Sequence, residues 1–304
     1  MSTNVVTLDL NFQGIPGAIA SYLIPHDSGA ILVEAGPGST VKNITEALAS
    51  HGFQPSDISD VLLTHIHLDH AGAAGWFARQ GARIHVHTNG AAHLINPEKL
   101  IRSATRIYGD RMDTLWGEFL PVPEGQLSVP NDGVDIEIGS LRFTPLDTPG
   151  HANHHFAYLF EDTVFLGDVG GVRLGEKNLR LPMPPPEFHL EKWRRSVARL
   201  TDAFRQAGTR HVAPTHFGVY DDPEWHLDIV ARWLDAVELW MKREMPRGLE
   251  QEALRAEFVD WSTVTSVELG LGGRALPANG AVNPPFMSAD GIQRYWQKNI
   301  ATDV

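Results

Sequence analysis

Thr64-His65-Ile66-His67-Leu68-Asp69-His70 is the stretch that decides the fold. Upstream, Ile58 to Leu63 carries Val61, Leu62 and Leu63, a short apolar run that reads as a buried strand. Downstream, Ala71-Gly72-Ala73-Ala74-Gly75-Trp76-Phe77 reads as a helix start. Four potential ligands therefore share one strand-to-helix loop. On its extended part, period-two alternation sends His65 and His67 to one side and Ile66 to the other. Both imidazoles can then meet one cation. The turn into the helix presents Asp69 and His70 together, either to a second cation or as groups that orient the first pair. Without a metal, so dense a cluster would leave several desolvated donors and acceptors needing partners, at about 1–3 kcal/mol for each unmet group. The small residues Ala71 to Ala74 leave room for backbone to pack closely behind the loop.

Composition narrows the chemistry. A length of 304 residues suits one large domain or a domain with an appendage, and 42% hydrophobic with 20% charged residues is ordinary for a globular chain. The formal charge of −12 argues against a surface that binds a phosphate backbone, so no nucleic-acid partner is expected. With no cysteine, disulfides, thiol nucleophiles and thiolate ligands are all excluded. Any metal must be held by His and carboxylate, a set that suits zinc but also iron or manganese. Met1-Ser2-Thr3-Asn4 shows no secretory pattern, and no run approaches the ~20 apolar residues that cross a bilayer. A cytoplasmic protein with no membrane partner is expected.

Three later motifs continue the pattern: Asp147-Thr148-Pro149-Gly150-His151, Phe165-Leu166-Gly167-Asp168 and Pro214-Thr215-His216. With His65-x-His67-x-Asp69-His70, this ordered set resembles the metallo-β-lactamase-fold hydrolase superfamily, most closely its glyoxalase II and lactonase-like branches, over roughly residues 4 to 220. The resemblance implies an α/β four-layer αβ/βα sandwich. It also implies that His65, His67 and His151 hold one metal, that Asp69, His70 and His216 hold the second, and that Asp168 bridges them. Two divalent ions, zinc first, would share a water that loses its proton near neutral pH. The resulting hydroxide would attack an ester-like bond, lactone or thioester, in a small-molecule substrate, with Asp69 accepting or relaying a proton. No G-x-S-x-G elbow competes for the nucleophile's role.

Along the chain, Val5 to Leu10, Ala18 to Ile24 and Ala30 to Glu34 read as strands, followed by a helix from Ser39 or Thr40 that stops at Gly52. Arg83 to His87 reads as a strand and Thr88 to Leu94 as a short helix. His85 and His87 repeat the H-x-H spacing but lack a following Asp-His, and are expected to be structural. Pro97 to Pro121 has helical periodicity with Ile101, Tyr108, Met112, Leu115, Trp116, Phe119 and Leu120, too many large apolar groups for one solvated helix. Core packing is the common reason, a pocket wall the functional one. Val134 to Ile138, Leu141 to Leu146, His155 to Phe160 and Thr163 to Leu166 form a second run of strands. Phe188 to Ala207 is an amphipathic helix ending at Gly208, and His211 to Pro214 a strand delivering His216.

From Asp221 the composition turns helical. The expected division is a catalytic domain over 1–220 and a helical extension over 221–304, with Gly270 to Pro285 irregular inside it. That extension could shape the substrate pocket or support a homodimer.

The chain departs from the family's pattern in places. Glu34 stands where an Asp is usual, and its support of a ligand histidine is open, as is the role of His155 beside His151. No Tyr follows Asp168, so Tyr220 is a candidate electrophile. The lack of cysteine sets the chain apart from lactamases with a thiolate at the second metal. Arg173 and Arg180 are the candidates for gripping an anionic substrate, against a plain reading as solvated surface arginines. Two other functions stay open: a mononuclear non-haem iron persulfide dioxygenase, and a metal-binding module without turnover.

Overall fold

The computed structural model describes residues 5–272 and 277–301. Its chain forms two compact units, one comprising the residues up to Asp147 together with His154–Phe165, the other Thr148–Asn153 together with the chain from Leu166 onward.

In the first unit, β1 (Val6–Asp9), β2 (Ala20–His26) and β3 (Gly29–Val33) form an antiparallel meander. Helix α1 (Val41–Ser50) then crosses back to β4 (Ile58–Leu62), which runs parallel to β3. Ile44 and Leu48 bury one face of α1, and Gly52, at φ +83°, lets the chain leave it. The metal loop follows β4 into α2 (Leu68–Ala71) and α3 (Ala74–Arg79). Helix therefore begins three residues earlier than the apolar pattern suggests, and Asp69 and His70 sit in its first turn. A Cβ on Gly72 would lie 2.8 Å from Pro37 Cα and 2.7 Å from Gly38 N, so the close approach expected of the small residues is real.

β5 (Arg83–His85), α4 (Thr88–Ile95), α5 (Glu98–Tyr108), α6 (Met112–Trp116) and β6 (Leu127–Ser128) complete this part, with sheet order β1-β2-β3-β4-β5-β6. The periodic segment after Pro97 is two helices broken at Gly109, not one. Ala104 and Trp116 of α5 and α6 are buried, and Ile101, Tyr108, Met112 and Leu115 partly so; Trp116 stacks on Phe12 at 5.5 Å and meets Tyr108 edge-on at 5.0 Å, so core packing accounts for part of the stripe. β7 (Ile136–Ile138), β8 (Leu141–Asp147), β9 (Phe156–Phe160) and β10 (Thr163–Phe165) form antiparallel pairs in the order β10-β9-β8-β7 within the second sheet. Inside this unit the sheets touch through Tyr22 and Phe165, whose ring centroids are 5.3 Å apart.

The second unit opens with the ribbon β11 (Val172–Arg173) and β12 (Leu179–Arg180), then α7 (Leu190–Ala207) and β13 (His211–Ala213). Leu166 N donates to Ala213 O at 3.0 Å. Four helices follow: α8 (Pro223–Glu244), α9 (Gln251–Glu268), α10 (Pro277–Val282) and α11 (Pro285–Asn299). Of the stretch expected to be irregular, residues 273–276 lie outside the described residues, and Pro277–Val282 is a short helix. Trp240, Phe258 and Trp261 pack together where α8 meets α9, with centroid separations of 5.2 to 5.3 Å. No helix among the described residues is long and apolar enough to cross a membrane.

Candidate metal centre

The first unit carries four of the expected ligands on one loop. His65 Nε2 and His67 Nδ1 are 3.0 Å apart, on the same side of the extended segment as alternation requires. Behind them lies Glu34, fully buried, its backbone left-handed at φ +72°. One carboxylate oxygen accepts from Thr64 Oγ1 at 2.5 Å and from His70 Nδ1 at 2.9 Å, the other from Thr64 N at 3.2 Å. A carboxylate only accepts, so His70 carries its proton on Nδ1 and turns the Nε2 lone pair outward. The Thr64 hydroxyl proton is committed to Glu34, so across 3.1 Å His65 Nδ1–H donates to Thr64 Oγ1. One buried carboxylate thus sets two imidazole tautomers. Glu34, left open by the sequence, orients His65 and His70.

His155 is buried and stacks on His65 with centroids 5.1 Å apart; His154 stacks at 6.0 Å and meets His67 edge-on at 5.4 Å. Both support the first pair. Asp69 lies 3.8 Å from His70 Nε2, with 14% of its side chain exposed. Burial, and then the charge of Asp69, pushes the Tyr108 phenol well above its ordinary range despite Arg111. Tyr108 therefore keeps its proton, as does buried Tyr158, which donates to Leu63 O at 3.0 Å and feels the charge of Glu34.

The second unit brings together the other three. His151 Nδ1–H donates to Pro182 O at 2.8 Å, which again leaves Nε2 as the lone pair. That atom is 3.4 Å from Asp168 Oδ2, while Asp168 Oδ1 is 3.5 Å from His216 Nε2. The carboxylate presents one oxygen to each of two histidines. It sits on a single turn, Gly167–Gly170, held from outside: Val169 O accepts from Trp193 Nε1 at 2.9 Å and Gly170 O from His226 Nε2 at 2.7 Å. Gly150, next to His151, lies so close to α7 that a Cβ would come within 2.3 Å of Trp193 Cα, and its φ of +149° also requires glycine.

Other histidines and arginines separate cleanly from this set. His85 pairs with Asp60 at 2.8 Å and His87 with Asp147 at 3.2 Å, the structural roles expected of them. Arg173 and Arg180 are not solvated: they are 2% and 8% exposed. Arg173 grips Asp222 at 2.6 and 2.8 Å, and the Tyr220 ring lies against its guanidinium at 3.7 Å. The Tyr220 hydroxyl donates to Arg173 O at 3.0 Å and Gly175 O at 3.2 Å; burial, with Asp222 opposing Arg173, pushes its pKa up to about 12. Tyr220 is a brace for that loop. Thr64, the Pro182 carbonyl, Trp193 and His226 escaped the sequence reading because nothing in residue type marks a carbonyl acceptor or a helix residue that meets a distant turn.

The donors fit a divalent ion: His65, His70 and His151 have Nδ1 already committed, carboxylates lie beside the Nε2 atoms of His70, His151 and His216, and there is no thiolate, a combination suited to zinc, iron or manganese. A His/Asp cluster able to hold a metal is present. A family model described as the metallo-beta-lactamase superfamily matches residues 14–216. The chain belongs to the metallo-beta-lactamase superfamily. Its mixed sheets and helices are this superfamily's fold, with helices added at the C-terminal side. A metallo-beta-lactamase family protein from Thermus thermophilus superposes with a TM-score of 0.64 at 21% identity, over 97% of this chain and 93% of that one, a likeness of fold. Among curated superfamily relatives, a hydroxyacylglutathione hydrolase of Shewanella halifaxensis is 28% identical over 47% of this chain and 43% of its own length. An atrochrysone carboxyl ACP thioesterase of Aspergillus fumigatus is 28% identical over 49% of this chain and 39% of its own. The chain spans less than half the length of these two relatives.

Proposed function

We propose that this superfamily member is a dinuclear metallo-hydrolase that cleaves an acyl thioester, with lactones as the next class of substrate. In this reading His65, His67 and His151 would hold one divalent ion, Asp69, His70 and His216 would hold the other, and Asp168 would serve both. The observation that carries it is the Asp168 carboxylate, with one oxygen toward His151 and one toward His216. Two cations roughly 3.5–4 Å apart repel, and an anion between them offsets that repulsion. The thioester preference rests on relatives named for hydrolysis of an acyl-glutathione and of an acyl-carrier thioester.

When bound, the ions would acidify a water and polarise the scissile carbonyl, zinc being the first candidate. The rest falls to side chains of this chain. Glu34 and the Pro182 carbonyl keep His70 and His151 in the ligating tautomer. Asp69, partly exposed, accepts the proton of the attacking water. Water oxygen bonds to the acyl carbon as the carbon–sulfur bond breaks, and the proton leaves with the thiol. Tyr108, still protonated, and the incompletely buried apolar side chains of α5 and α6 offer a wall for the acyl part.

The test is thiol release from a panel of acyl thioesters, and proton release from a panel of lactones, by zinc-loaded protein with a chelated control. Chelator-sensitive thiol release that disappears in Asp168→Ala supports the proposal. Turnover that survives chelation, or an unchanged Asp168→Ala enzyme, refutes it.

A further inference from the structure

We propose that Arg173 is a positioning residue for the second ion: it fastens the His216 loop and, through His226, the Asp168 turn to the first turn of α8. This rests on the dinuclear reading above. The guanidinium uses every edge. Nη1 and Nη2 donate to the two Asp222 carboxylate oxygens at 2.6 and 2.8 Å, and Nε and Nη2 donate to Glu176 O at 3.0 and 2.7 Å. The rings of Tyr220 and Trp225 lie 3.7 and 4.5 Å from its central carbon. Such a flat, forked and stacked site suits arginine, whereas a lysine supplies one point charge and no fork.

Two routes lead from this cage to the ligands. The Arg173 backbone brackets His216: Arg173 N donates to His216 O in a short bond, and Phe217 N returns one to Arg173 O at 2.9 Å. Arg173 Nη1 also lies 3.2 Å from His226 Nδ1. A guanidinium has no lone pair to offer, so that ring nitrogen accepts and the proton resides on Nε2, which donates to Gly170 O in the turn that carries Asp168. Burial, with the nearby Arg173 charge, lowers His226 to about 4, in keeping with a neutral ring despite its bond to Gly170 and the charge of Asp222. Asp222, Trp225 and His226 all belong to the start of α8. The helices after residue 221 therefore do more than extend the chain: their first turn sets the second ion's ligands.

The experiment uses the full chain and zinc, with affinity for each ion measured by competition against a chromophoric chelator. Arg173→Lys keeps the charge and removes the fork. The second zinc should bind about 10–100-fold more weakly, the usual effect of losing an outer partner, and the first, which shares only Asp168 with it, should be weakened less. Asp222→Asn should weaken the second ion in the same way and serves if the lysine variant does not fold. A merely structural role would lower the melting temperature without separating the two affinities. Two tight zincs in both variants overturn the role of Arg173 alone. A wild-type chain that takes up a single zinc overturns this inference together with the dinuclear reading.

Discussion

Glu34→Gln tests the ligand-orienting network at its narrowest point. The carboxylate serves three donors, Thr64 N, Thr64 Oγ1 and His70 Nδ1. An amide offers one oxygen. Set where it keeps Thr64 Oγ1 and His70, it turns its NH2 group toward the Thr64 N–H, a donor facing a donor. Leaving that buried group unmet costs about 1–3 kcal/mol of stability. The bond to His70 survives but loses its charge assistance, and with it part of the basicity of Nε2. Loss of such an outer partner weakens a metal by about 10–100-fold, or about 1.4–2.8 kcal/mol. The assay is zinc competition against a chelator, with circular dichroism to confirm the fold. Weakening should be largest at the ion held by His70. Unchanged affinity at both ions would refute the reasoning that assigns Glu34 this task.

Three further outcomes follow from the geometry. His226 is fully buried and its pKa falls to about 4, so between pH 4 and its ordinary value near 6.5 the unfolded chain binds a proton that the folded one does not. Stability should therefore drop as pH falls through that window, by an amount on the order of 3 kcal/mol. Urea unfolding of the metal-free protein at pH 7 and pH 5 should show the part of the drop that lies above pH 5, about 2 kcal/mol, and His226→Gln should lose that part. His85→Gln should lower stability by about 1–3 kcal/mol through its lost bond to Asp60, yet leave zinc content unchanged; a lost zinc would make His85 a ligand after all. Gly150→Ala should destabilise by about 3 kcal/mol or more, since its Cβ would strike the Trp193 backbone, and a melting temperature equal to wild type would contradict that contact.

Strands and helices with strong periodicity were legible from the sequence: β4 before the histidine-rich loop and α7 with its glycine stop. The pairing of His65 with His67 was legible as well, because the alternation that puts them on one side is local. What sequence could not supply was long-range. Glu34 stands 36 residues before the histidine it orients, and its suitability depends on a left-handed backbone that a glutamate rarely adopts. The burial of Arg173 is long-range in the same way. Charged residues are mostly exposed, and the exception at Arg173 needs Asp222, Tyr220 and Trp225 to arrive from 47 to 52 residues further along the chain. For the apolar stripe of α5 and α6, periodicity registers apolar residues but not how deeply each is buried: Trp116 packs on Phe12, while Ile101, Met112 and Leu115 stay partly exposed.

The turn that carries Asp168 is pinned on all sides, with the carbonyl of Asp168 held by Gly171 N, that of Val169 by Trp193 and that of Gly170 by His226. Such a turn has little freedom to reshape itself around a larger or smaller cation. A metal held there would meet donors whose positions are already fixed, so donor chemistry and fit to this geometry, not adjustment of the turn, would decide among zinc, iron and manganese.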